Sequence, residues 1–126
     1  MENLRAGDLA IDLVQPLPTE PLRVVWSGKS SDRNPGAILD PFFQQLLSAA
    51  EHRRVPVQLR FEKLLHFNSS TIASLIQLIQ DARQRRVELT VVFDRKLRWQ
   101  QLSFDALRVF VGSDGLFTLR SVEEVP

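Results

Sequence analysis

The stretch from Val55 to Phe93 constrains this chain more than any other part of it. Val55, Val57, Leu59 and Phe61 lie on one side of an extended segment, with Gln58 and Arg60 among the residues on the other. That two-residue period marks a strand with one buried face. A short link, 62–67, follows. Ile72, Leu75, Ile76, Ile79 and Ala82 then recur at helical spacing, and Arg83, Arg85 and Arg86 place positive charge where a helix dipole favours it. Val87 to Phe93 is rich in β-branched residues and reads as a second strand. A strand–helix–strand unit of this size implies parallel strands joined by a right-handed crossover.

The remainder fits around that unit. Residues 8–14 read as a strand closed by Pro16 and Pro18, and Leu22 to Trp26 as another. Gly28 to Gly36 is dense in turn formers and reads as a loop. Asp40-Pro41 has the form of a helix start, a carboxylate cap with proline in the first helical position. Phe42, Phe43, Leu46, Leu47 and Ala50 give that helix an apolar face. A last amphipathic helix covers about Trp99 to Phe110, and a terminal strand Leu116 to Leu119. The expectation is a single α/β domain over residues 1–126, with a mixed sheet of four to five strands and helices packed mainly on one face.

Composition narrows the chemistry. With no cysteine among the 126 residues, disulfides, thiolate metal sites and cysteine nucleophiles are excluded. The 16 basic and 15 acidic residues give a formal net charge of +1, no general reason to expect nucleic acid or a membrane as partner. No apolar run approaches the ~20 residues that span a bilayer. The first residues lack a signal-peptide pattern, so a cytoplasmic location is expected. No Gly-rich phosphate loop, paired-histidine metal spacing or Gly-x-Ser-x-Gly elbow is present, and neither metal nor cofactor is expected. Arg83, Arg85, Arg86, Arg95, Lys96 and Arg98 form a basic cluster interrupted by Glu88 and Asp94, read as a solvated face or a patch for an acidic partner.

The polar run Asn68-Ser69-Ser70-Thr71 stands where the central helix begins. Such residues gather at helix N-termini because they cap unpaired N–H groups, and either Asn68 or Ser69 could be the cap. The same N–H groups and the positive end of the dipole also accommodate a phosphoryl group, which would add about −1.5 to −2 charge. On a wheel centred on Ile72, Leu75, Ile76 and Ile79, Ser70 points most nearly away from the core and Ser69 lies at the edge.

Residues 55–93 resemble the centre of STAS domains, the family of the anti-sigma-factor antagonists: a strand, an Asp-Ser-Ser/Thr-Gly-type motif opening a helix, then Ala-Arg (here Ala82-Arg83), a basic residue and the next strand. The resemblance implies a non-enzymatic, cofactor-free module for partner switching. Its phosphoacceptor is the first serine of the motif, which falls on Ser69, with Ser70 second. Asn68 replaces the usual aspartate and Thr71 the usual glycine. In that respect the motif is similar to the stand-alone SiaC-like regulatory phosphoproteins linked to biofilm signalling, as is Leu97-Arg98-Trp99-Gln100. The implied partners are a histidine-kinase-like serine kinase, a PP2C-type phosphatase and an effector, with a diguanylate cyclase as one candidate. The implied binding surface is Asn68, Ser69, Ser70, Thr71 and Ser74. Two rival readings are a phosphorylation-independent STAS scaffold and a hydrolase pairing Ser69 with His66.

Overall fold

The computed structural model describes residues 1–14 and 17–125. Six strands form one sheet: β1 (Leu4–Ala6), β2 (Leu9–Val14), β3 (Leu22–Ser30), β4 (Val57–Phe67), β5 (Leu89–Phe93) and β6 (Phe117–Ser121). Three α-helices connect the later ones: α1 (Gly36–Arg53), α2 (Ser69–Gln84) and α3 (Arg98–Asp105), the last continued by a 3₁₀ segment, Ala106–Phe110. The strands lie side by side in chain order, β1 to β6. The first two pairings are antiparallel and the last three parallel.

Each parallel crossover advances one place in the same direction, so right-handed connections bring all three helices to one face of the sheet. Burial follows that geometry. Ile11, Leu22, Val24, Trp26, Val57, Leu59, Phe61, Leu89, Val91, Phe93 and Phe117 are buried with the inner faces of α1 and α2 in one core. Trp26 packs between Phe61 and Phe43 with its ring tilted to both, the ring centroids 4.9 and 6.1 Å away. The alternate positions, among them Arg23, Val25, Gln58, Arg60, Thr90 and Thr118, are half-buried on a face that carries no helix. Thr90 and Thr118 join their hydroxyls across two strands there at 2.8 Å.

The fold class is as expected, with six strands in place of four to five. The added strand is β1, paired with β2 through a two-residue turn in which Gly7 takes the left-handed conformation (φ 58°). Pro16, expected to close the strand after it, lies outside the described residues. Strand β3 runs on to Ser30 instead of ending at Trp26, so Gly28 is a strand residue. Its φ is 82°, and a β-carbon there would stand 1.8 Å from the Asp8 carbonyl oxygen, so only glycine fits.

Helix α1 begins at Gly36, four residues before the expected Asp40 cap, and Pro41 lies inside it. Proline removes one bond, to the carbonyl of Ala37, but Ala37 and Pro41 are both exposed, where water can take that carbonyl. Burial of Leu39, Phe42, Phe43, Leu46 and Leu47 offsets the rest. Both α1 and α2 end with an arginine in the left-handed conformation, Arg54 (φ 56°) and Arg86 (φ 55°). The next amide, Val55 or Val87, reaches back to Ala50 or Ala82 at 3.1 and 2.9 Å.

Arg83 ties the loop before β6 to α2. Its guanidinium donates to Asp114 at 2.8 Å and to the Phe110 carbonyl at 2.8 Å. The Arg83 bond, helped by the Leu116 amide, holds the Asp114 carboxyl below its ordinary range. A lowered folded-state value stabilises above the unfolded pKa, and that contribution disappears as pH falls through the folded value. In Arg83→Ala, the Asp114 carboxyl should titrate at higher pH than in the parent, nearer an ordinary aspartate, when followed by carbon-detected NMR. An unmoved titration would show that Arg83 does not hold it.

Candidate functional site at the start of the central helix

The parallel strands β3, β4 and β5 end on the same side of the molecule, and α1, α2 and α3 begin there. Strand β4 does not stop at Phe61 as expected but continues to Phe67, so the anticipated link is strand. Its pairing with β5 ends at Arg60–Val92, while pairing with β3 runs on through two register shifts to Ser30–Phe67. Phe61, Leu64 and Phe67 are the buried residues of this overhang, a three-residue spacing that reflects the irregularity.

A glutamine takes the place of the missing strand. Gln100, in the first turn of α3, is fully buried. Its amide nitrogen donates to the carbonyls of Phe61 (2.6 Å) and Leu64 (3.1 Å), and its carbonyl accepts from the Asp94 amide (2.8 Å). Phe104 packs on Phe61, Phe67 and Phe93, and Trp99 meets Phe67 edge-on at 5.5 Å. The end of β4, and with it the residue before Asn68, is therefore gripped by α3. A sequence reading gives a glutamine in the first turn of a helix no such role. Its position on the face shared with Phe104 was the one available sign.

Asn68 is the cap of α2. Its backbone is extended (φ −92°, ψ 173°) and its Oδ1 accepts from the Thr71 amide at 2.9 Å. The same oxygen accepts from the Thr71 hydroxyl at 2.9 Å, while Nδ2 donates to the Asp32 carbonyl at 2.8 Å. The backbone amide donates to the Ser30 carbonyl at 3.1 Å. Thr71 is fully buried, and its hydroxyl lies 2.7 Å from that of Ser30. Because the Thr71 proton goes to Asn68, Ser30 must be the donor in this last contact. Every polar atom in the cluster thus has a defined direction.

This settles which motif residues are free. Thr71 and Ser74 face inward. Ser74 is buried opposite Gly36, where an added methyl would stand 3.6 Å from its hydroxyl. Neither offers its side chain to a partner in this conformation, unlike Ser69 and Ser70, which are exposed in the first turn ahead of the first intrahelical bond. The helical wheel also turns. The buried residues are Thr71, Ser74, Leu75, Leu78, Ile79 and Ala82, while Ile72 and Ile76 are half-buried at one flank. Measured from the centre of that face, Ser69 lies roughly 150° away and Ser70 roughly 110°. Geometry now ranks Ser69 as the more outward hydroxyl. Two polar residues in the core face, Thr71 with its hydrogen bonds and Ser74 beside Gly36, displaced the centre that the isoleucines suggested.

The other candidate groups are dispersed. His66 pairs in register with Lys29 and has no hydrogen bond to Ser69 among the described residues. The basic cluster divides between the two ends of β5. Arg85 bonds Glu51, Gln44 and Ser48 at one end, and Arg95 pairs with Glu123 at the other. Among the described residues no group of three or more His, Asp or Glu could hold a metal ion, and no helix is long and apolar enough to cross a membrane. Comparison with protein-family models finds no matching family, and no curated protein matches the chain.

Proposed function

We propose that the chain is a non-enzymatic, STAS-like partner-switching module of the bacterial cytoplasm, regulated by phosphorylation of Ser69. The observation that carries the reading is the division of labour in the first turn of α2. Asn68 and Thr71 are consumed in fixing the turn, while the adjacent Ser69 hydroxyl is exposed beside unpaired helix N–H groups. A phosphate can be added there without breaking the bonds that cap the first turn of α2, and it alters surface charge by about −1.5 to −2. In the unmodified form this surface binds an effector, of which a diguanylate cyclase is one candidate, and the phosphate changes partner preference through repulsion and desolvation. A histidine-kinase-like serine kinase and a PP2C-type phosphatase set the state. Ser70 is the second choice of acceptor.

The expected result is that Ser69→Ala keeps the effector affinity of the unmodified protein, whereas Ser69→Asp weakens it by on the order of tenfold or more. Calorimetric titration of both variants measures this, and equal affinities would defeat the reading. A phosphorylation-independent scaffold is favoured by one observation: Leu65 near the end of β4 and Leu102 within α3 are 65% and 63% exposed, apolar side chains that could meet a partner in either state. Intact-mass measurement after incubation with an active cognate kinase separates the two, since the scaffold gains no phosphate.

A further inference from the structure

Helix α1 starts without a side chain to cap it, because Pro35 occupies the cap position. Its approach is held instead from the neighbouring helix. Asn68 Nδ2 donates to the Asp32 carbonyl (2.8 Å), Asp32 Oδ1 accepts from the Asn34 amide (2.9 Å), and the Asn34 carbonyl accepts from the Ala37 amide (3.3 Å) in the first turn of α1. Ser31, Asp32, Arg33 and Asn34 are all exposed. One asparagine therefore fastens both the start of α2 and the loop that leads into α1.

We propose that the loop Ser31–Asn34 is a second, charge-sensitive element of the switch, released from its present hydrogen bonds when Ser69 carries a phosphate. The proposal rests on the reading of Ser69 as the modified residue. Ser69 directly follows Asn68, whose side chain holds the Asp32 carbonyl at 2.8 Å, so a phosphate there adds negative charge on the side of the molecule where the Asp32 carboxylate is exposed. The two anions repel. Arg33 is the adjacent loop cation and has no ion pair among the described residues. Charge-assisted bonding of a guanidinium to phosphate is stronger than the neutral contacts it would replace. Turning Arg33 toward the phosphate and Asp32 away frees the Asn34 amide, and the effector meets an altered loop as well as a new charge.

The test is residue-resolved amide hydrogen exchange by NMR on the full chain with phosphoserine incorporated at position 69 during translation, compared with the unmodified chain. Exchange at Asn34 and Ala37 should rise on the order of threefold to tenfold, while the first turn of α2 is retained or protected. In Asp32→Asn, which keeps the acceptor for Asn34 but removes the charge, the phosphate should produce a much smaller rise. Unchanged exchange at Asn34 and Ala37, or the same rise in Asp32→Asn, would overturn the proposal. Because no kinase or effector enters this experiment, its failure is distinct from a failure of Ser69 to be phosphorylated or to control effector binding.

Discussion

Replacing Gln100 by alanine should lower stability by about 3–5 kcal/mol, because two buried backbone carbonyls and the half-buried Asp94 amide lose this partner at once. For a domain of this size the corresponding drop in Tm is on the order of 10–20 °C, readable by circular dichroism. The carbonyls of Phe61 and Leu64 cannot turn to solvent, since Phe61, Leu64 and Gln100 are buried. Gln100→Glu supplies an internal control. Its carboxylate would face two carbonyls, so burial and repulsion would raise its folded-state pKa above the unfolded value. A raised value gives stability that is present at low pH and lost as pH rises through it. Gln100→Glu should therefore be far weaker than the parent at neutral pH and recover part of the difference on acidification. A loss below about 1 kcal/mol in Gln100→Ala would mean that water replaces the side chain and that α3 does not position the end of β4 in this way.

The second large effect concerns Asn68. Asn68→Ala removes the cap and both ends of the Asp32–Thr71 link, an expected cost of about 2–3 kcal/mol. Asn68→Asp is the more discriminating substitution. It restores the residue usual in the motif that this chain resembles, and a carboxylate at a helix N-terminus is worth about 0.3–1 kcal/mol. Here it should still destabilise, by about 1–2 kcal/mol, because Nδ2 donates to the Asp32 carbonyl and a carboxylate oxygen would meet that carbonyl instead. Urea denaturation of the three proteins should rank them Asn, Asp, Ala. An aspartate variant more stable than the parent would show that the bond to Asp32 contributes little and would remove the reason for asparagine at this position.

Much of the architecture was legible because it follows from period. The strand, helix and strand within 55–93 announce a parallel crossover, and Phe42, Phe43, Leu46 and Leu47 announce the packing face of α1. Boundaries failed where a local signal competed with burial. Asp40-Pro41 is a strong start signal, yet the helix begins earlier because Leu39 belongs to the same buried face and Pro41 points to water. Gly28 looked like a turn former, but its lack of a β-carbon admits the Asp8 carbonyl beside a continuing strand. The site was legible as a cap and no further. That Thr71 and Ser74 face the core depends on Ser30 and Gly36, some 40 residues away in sequence, and that Gln100 replaces a strand depends on where β5 happens to end. Contacts of that range leave no trace in periodicity.

The order of strands in the sheet also bears on how the chain reaches this state. Because β1 to β6 lie in the sequence in which they would leave the ribosome, no strand has to insert between two that are already paired. The sheet can grow by addition at its β6 edge, each new strand arriving with the helix that covers it, and every strand pairing closes a loop no longer than one crossover. The first turn of α2 sits in the middle of that progression. Asn68 can meet Ser30 and Asp32 as soon as β4 has docked on β3, but the overhang that presents Ser69 is secured only when Gln100 arrives on α3, late in the chain. Folding in this order builds the proposed switch in two instalments, with its cap set early and its mounting last.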